Sequence, residues 1–146
     1  MTTTAPSLSE AELASRLRLA VTRLSRRLRT QLPGQLSPSQ LSTMSTVERL
    51  GPVTLGELST AERVKPPTMT KIVAALEELG LVSRTVDPSD RRVARVEATA
   101  EGRRFVDGTR RYKDAYLARR LRGLDPADVA ALERAAEVFE RLLEGE

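Results

Sequence analysis

Four arginines, Arg84, Arg91, Arg92 and Arg95, fall within twelve residues of this 146-residue chain, and Asp90 stands among them. Guanidinium groups carry a permanent charge and a planar fork of donors that matches phosphate and carboxylate geometry. At the tip of a projecting turn they can reach a minor groove, where narrow A·T tracts concentrate negative potential. Asp90 is a poor neighbour for phosphate, but a carboxylate there can hold a guanidinium through a charge-assisted hydrogen bond. A second group lies earlier: Pro67, Thr68, Thr70 and Lys71 are small, polar or positive, with no acid until Glu77 and Glu78. Such a face suits the edges of base pairs in a major groove. The plainer alternatives are a solvated, salt-bridged turn and an ordinary exposed helix face.

Other chemistries are excluded by residue type. The chain has no Cys and no His, which removes disulfides, thiol switching, the usual zinc sites and His-dependent acid–base catalysis. It has no P-loop and no G-x-G-x-x-G, so an enzyme, a cofactor and a bound metal are not expected. Net charge is +4, unevenly spread: residues 1–36 carry six Arg against Glu10 and Glu12, whereas residues 125–146 carry seven acids against Arg134 and Arg141. A basic, Arg-rich balance favours a polyanionic partner. No apolar run approaches the roughly 18 residues of a membrane span. Residues 1–7 are small and polar and read as a disordered tail rather than a signal peptide. The cytoplasm is the expected compartment.

The elements that must position these groups are mostly helical. With aromatics at only 3%, the core must come from Leu, Val, Ala and Met. Ser9-Glu10-Ala11-Glu12 has the capping-box form, and Leu13, Leu17, Ala20, Val21, Leu24 and Leu28 recur at helical steps until Pro33-Gly34. Ser37-Pro38-Ser39-Gln40 and Thr54-Leu55-Gly56-Glu57 are two further capping boxes. Pro66 starts a helix with Met69, Ile72, Val73, Leu76 and Leu79 on its apolar side, closed by Gly80. Residues 81–86 and 93–97 are rich in β-formers around a charged turn, and predict a hairpin. Thr99 caps a long helix through Phe105, Tyr112 and Tyr116, and Asp125-Pro126 opens the last, with Val129, Leu132, Ala136, Phe139 and Leu143. A short helix, a tight break, a longer helix and a hairpin form a winged helix-turn-helix. The expected fold is mostly α with a small β-hairpin wing. In a helix-turn-helix the second helix enters the major groove by its N-terminal residues. Candidate DNA contacts are Thr54, Lys65, Pro67, Thr68, Thr70, Lys71, Arg84, Arg91 and Arg92, with Asp90 orienting the wing.

The stretch Pro66-Pro67-Thr68-Met69-Thr70-Lys71-Ile72-Val73, with Leu76-Glu77 and Gly80-Leu81-Val82, resembles the recognition helix of the MarR family of bacterial regulators. Asp90-Arg91-Arg92, followed after five residues by Ala98-Thr99-Ala100-Glu101-Gly102, resembles that family's wing signature, Asp-x-Arg then Leu-Thr-x-x-Gly. The resemblance spans about residues 10–144. It implies a two-fold dimer on a palindromic operator in double-stranded DNA, usually repression, and often relief by a small lipophilic, aromatic or phenolic effector. This chain departs from the pattern at Ala98, where Leu is usual, at Lys65, where a capping Ser is usual, and at Arg63, where Gly is common. Arg63 at a turn position requiring positive φ predicts mild strain.

Residues 8–146 thus read as one domain: a winged unit at 37–99 flanked by long helices at 8–36 and 100–146. The flanking stripes could pack within one chain; the resemblance implies that they pair between two chains. Complementary charge, Arg16, Arg23 or Arg27 against Glu133, Glu137 or Glu140, would help set such pairing. Met44, Val47, Tyr112 and Tyr116 are candidate lining residues of an effector pocket, with core packing as the alternative. A winged-helix module that binds protein instead of DNA is the rival reading of the whole chain. It has no need of a basic tip.

Overall fold

The computed structural model describes residues 7–30, 34 and 36–145. The tail expected over residues 1–7, Ser7 apart, and the helix-ending Pro33 lie outside them. The described elements run α1 (Glu10–Thr30), α2 (Pro38–Leu50), β1 (Val53–Thr54), α3 (Leu55–Glu62), α4 (Pro66–Glu78), β2 (Val82–Val86), β3 (Ala94–Ala98), α5 (Ala100–Leu121) and α6 (Pro126–Leu143).

Helices begin where a side chain satisfies their free N–H groups. The Ser9 hydroxyl accepts from the Glu12 N–H at 3.2 Å, and the Glu12 carboxylate accepts from the Ser9 N–H at 2.9 Å. Ser37 with Gln40 and Thr54 with Glu57 form the same reciprocal box. Such a cap contributes about 1 kcal/mol. α4 starts differently. Lys65 makes no side-chain cap, and the first turn holds Pro66 and Pro67, which lack an N–H. At its far end Gly80 adopts φ 76°, with Gly80 N–H donating to Glu77 O at 2.9 Å and Leu81 N–H to Leu76 O at 3.0 Å. That pair of bonds is a Schellman ending, which favours glycine at the left-handed residue.

β2 and β3 pair antiparallel from Val82 opposite Ala98 to Val86 opposite Ala94. β1 adds to the free side of β3, with Val53 opposite Val96, so the sheet order is β1-β3-β2. The expected hairpin is therefore a three-stranded sheet. Two residues are too few to show a period, and β1 forms because Gly51, at φ 71°, turns the chain back along β3.

The core joins Met44 and Val47 of α2, Leu58 of α3, Met69, Val73 and Leu76 of α4, Val96 of β3 and Val106 of α5. Burying each such side chain stabilises by roughly 1.5–3 kcal/mol. α1 and α6 contribute no buried residue at all.

The wing and α5 meet at a close contact. A Cβ on Gly102 would lie 2.0 Å from the Leu81 carbonyl oxygen and 2.9 Å from Met44 Cε. Thr99 accepts from the Gly102 N–H at 3.0 Å, donates its hydroxyl to Gly80 O at 2.6 Å, and sends its own N–H to Leu81 O at 3.1 Å. The Thr99 and Gly102 positions of the wing signature are thus a joint between wing and helix.

Candidate nucleic-acid interface

α4 buries Met69, Ile72, Val73 and Leu76 and exposes Pro66, Pro67, Thr68, Thr70, Lys71 and Ala74. The 3.6-residue period therefore separates core and outer faces as the sequence predicts, except that Leu79, the C-cap residue, is exposed. The Thr70 hydroxyl donates to Pro66 O at 3.0 Å, which leaves its lone pairs to accept. Among the described residues Thr68 makes no side-chain hydrogen bond, and Lys65 and Lys71 make no ion pair. The outer face offers two ammonium groups and two hydroxyls over its first turns.

Arg63 links α3 to this helix at φ 54°, ψ 43°. It is the one non-glycine with positive φ among the described residues. The turn therefore has the strained geometry that the residue type predicts.

At the wing tip the Asp90 carboxylate accepts from Arg92 Nε at 3.0 Å, Arg92 Nη2 at 3.2 Å and the Arg92 backbone N–H at 3.1 Å. These bonds hold the Asp90 carboxyl below the usual carboxylate range. The Arg92 side chain is nevertheless 88% exposed, so its remaining donors face solvent. Arg91 is exposed as well. Arg92 shares a cleft of about 290 Å³ with Thr54, Leu55 and Gly56. The fold thus brings the wing tip beside the start of α3, where the Thr54 hydroxyl already accepts from the Glu57 N–H at 3.1 Å.

Arg84 departs from this group. Paired with Val96, it lies on the side of β2 that faces the core, half-buried, with its Nε 4.0 Å from Glu77 of α4. Its place is between the wing and α4 rather than at the tip. Strand register decides this: alternate residues of β2 face opposite ways, and Arg84 shares a side with buried Val82.

Arg95 braces the hairpin. Its Nη1 donates to Asp87 at 2.7 Å, while Ser89 N–H and Oγ donate to the other Asp87 oxygen at 2.9 and 2.7 Å. The Ser89 bonds, then Arg95, push the Asp87 carboxyl far below its ordinary value. The Asp87-Pro88-Ser89 spacing is the sequence signal for this Asx turn.

The four candidate pocket residues separate. Met44 and Val47 are fully buried in the core, and Tyr116 is buried with its hydroxyl accepting from Arg120. Tyr112 alone borders a cavity of about 230 Å³, with Leu36, Leu41, Arg104, Phe105 and Thr109. Apolar type does not distinguish core from cavity wall, which is why Met44 and Val47 read either way. Phe105 and Arg104 join Tyr112 on the cavity wall, although neither carries a pocket signal in the sequence.

This fold and its exposed donors define a winged helix-turn-helix protein. The MarR family profile matches residues 36–94. An HTH-type transcriptional regulator of Mycobacterium tuberculosis is 40% identical over 137 residues, which cover 93% of this chain and 96% of the relative. The crystal structure of a transcriptional regulator from Pseudomonas aeruginosa is 36% identical, covers 97% of this chain and 100% of its own, and superposes with a TM-score of 0.82. Streptococcus pneumoniae FabT, solved in complex with DNA, shares the fold at 22% identity and a TM-score of 0.58, covering 91% of this chain and 93% of its own. The chain belongs to the MarR family of helix-turn-helix transcriptional regulators. Among the described residues no helix is long and apolar enough to cross a membrane.

Proposed function

We propose that the chain is a homodimeric repressor that binds a palindromic operator in double-stranded DNA and is released by a small aromatic or lipophilic effector. The observation that carries the DNA reading is that the outer face of α4 has no acid over its first turns, before Glu77 and Glu78, with Thr68, Thr70 and Lys71 exposed on the same unit as the Asp90-braced Arg92. That FabT, which shares the fold, is solved in complex with DNA supports DNA as the partner. α4 is placed in the major groove, with Thr68 and Thr70 at base edges and Lys65 and Lys71 on phosphates or bases. Arg91 and Arg92 reach the minor groove beside the half-site, and Thr54 lies near the backbone.

Residues 37–99 are assigned to DNA binding, and 8–36 with 100–146 to pairing. Leu13, Leu17 and Leu24 of α1 and Leu132 and Leu143 of α6 are exposed. A seam of that size is unfavourable in water unless a second copy covers it. None of Arg16, Arg23, Arg27, Glu133, Glu137 and Glu140 forms an ion pair within the chain, among the described residues, so all remain available to a partner copy. Two-fold pairing spaces the half-sites one helical turn apart or a multiple of it. The cavity beside Phe105, Tyr112 and Arg104 suits a planar effector with an anionic group. A dimer on its operator excludes polymerase, and its place of action is the cytoplasm.

Selection of random duplexes on the purified chain tests the reading, with sedimentation at micromolar concentration beside it. The expected result is a palindromic sequence bound by a dimer, with weaker and altered selection by Thr68→Ala and Lys71→Ala. Recovery of no sequence, as a protein-binding module would give, or a well-behaved monomer, overturns it.

A further inference from the structure

We infer that Glu62 is a positioning residue for operator recognition, clamping the helix-turn-helix turn so that Arg63 can hold its left-handed backbone and α4 can keep its approach angle. The inference rests on the DNA-binding reading above. Glu62 is the last residue of α3, and its carboxylate reaches back to α2. Ser42 Oγ donates to Glu62 Oε2 at 2.6 Å, and Thr46 Oγ1 donates to Oε1. Ser42 and Thr46 are one helical turn apart, so both hydroxyls point from one face of α2 at the two oxygens of one carboxylate. Among the described residues Glu62 makes no ion pair. Its geometry is set by these two bonds.

The turn needs such a restraint. Arg63 adopts φ 54°, ψ 43°, a conformation that costs an L-residue and that glycine adopts freely. Its side chain is exposed and forms no ion pair or hydrogen bond among the described residues, so nothing of its own stabilises the conformation. The backbone contributes Val64 N–H to Ser59 O at 3.0 Å and Arg63 N–H to Thr60 O at 3.3 Å. Beyond the turn α4 has no side-chain cap, and its first two residues have no N–H. The direction in which α4 leaves therefore depends on residues 62–65. A carboxylate doubly anchored to the core helix α2, immediately before the strained residue, supplies the missing rigidity.

The reading makes an unusual electrostatic prediction. Removing Glu62 takes an acid away from a DNA-facing turn, so non-specific binding should hold or rise. Operator binding should fall. The assay is anisotropy of two duplexes at one salt concentration, one selected on the wild-type chain and one scrambled, with thermal melts alongside. Glu62→Ala is expected to weaken the selected duplex at least tenfold and leave the scrambled one unchanged or tighter. Glu62→Gln should retain most of the operator affinity, because a hydroxyl can turn to accept from an amide. Adding Arg63→Gly to Glu62→Ala should restore most of the loss, since glycine needs no clamp at that φ. If Glu62→Ala fails to fold, Ser42→Ala with Thr46→Val removes the same contacts from α2 and is expected to act alike. Unchanged discrimination between the two duplexes in the alanine variant, or a loss that Arg63→Gly does not relieve, overturns the inference. A wild-type chain that selects no duplex refutes DNA recognition instead, and so separates the two failures.

Discussion

Replacing Arg92 and Asp90, singly and together, distinguishes a braced groove-binding arginine from an ordinary surface charge. The Arg92 side chain is 88% exposed, so alanine there removes almost no packing and leaves the fold intact. A dimer presents one Arg92 per half-site. Removing one phosphate neutralisation lowers the slope of log affinity against log salt by about 0.9, and removing two lowers it by about 1.8. Across a fourfold rise in salt, from about 50 to 200 mM, the wild type should therefore lose about twelvefold more affinity than Arg92→Ala. Asp90→Ala removes an acid from the tip, and simple Coulombic repulsion predicts tighter binding. The three bonds from Arg92 to Asp90 predict the reverse. A freed guanidinium samples more rotamers and contributes less at the groove, so affinity falls and the slope moves toward that of Arg92→Ala. In the Arg92→Ala background the Asp90 change should cost nothing more. Anisotropy of a labelled operator duplex over several salt concentrations reads both slopes. Tighter binding of Asp90→Ala at every concentration, or an equal loss with and without Arg92, would refute the bracing argument.

Three further outcomes are expected. Gly102→Ala should destabilise the chain by about 2 kcal/mol, read as a shift in the denaturation midpoint, because overpacking against the Leu81 carbonyl outweighs the roughly 1 kcal/mol gained in helix propensity. In a carboxyl-carbon NMR titration, Asp87 and Asp90 should both titrate below the ordinary 3.8, and Asp87 lower than Asp90. Because both folded values are depressed, the stability they contribute is complete above the unfolded value and is lost only as the pH falls through the folded ones. Lys71→Ala should weaken operator binding by about 1–3 kcal/mol if it meets a base and lower the salt slope by about one unit per half-site if it meets a phosphate; an unchanged affinity and slope would displace α4 from the groove.

Most of the fold was legible because its signals are local. The capping boxes at Ser9, Ser37 and Thr54, the glycine after α4 and the apolar period of α4 each lie within a few neighbouring residues, and each appears in the structure where the pattern put it. The Asp90–Arg92 fork spans two residues and was legible for the same reason. What escaped depends on distant partners. β1 is two residues long and exists only because β3 lies beside it. Arg84 is close to the tip in sequence, whereas the pairing register turns it inward. Met44 and Val47 face the core and Tyr112 a cavity, a difference set by α5 packing across α2. Glu62 meets hydroxyls 20 and 16 residues away, and no spacing rule connects them.

The joint at Gly102 gives α5 a mechanical character. The helix is fastened at its first turn to Leu81, just before β2, and to Met44, and its 22 residues then extend about 33 Å to Leu121. It is a lever with its fulcrum against the wing. A tilt of about 5° at the fulcrum moves the far end by about 3 Å for a rod of that length. On the wall of the cavity, Phe105 belongs to the near half of the same rod and Tyr112 lies just past its middle. By the same leverage a small tilt of the near half is magnified at the far end. The absent side chain at residue 102 is what lets the pivot be this tight.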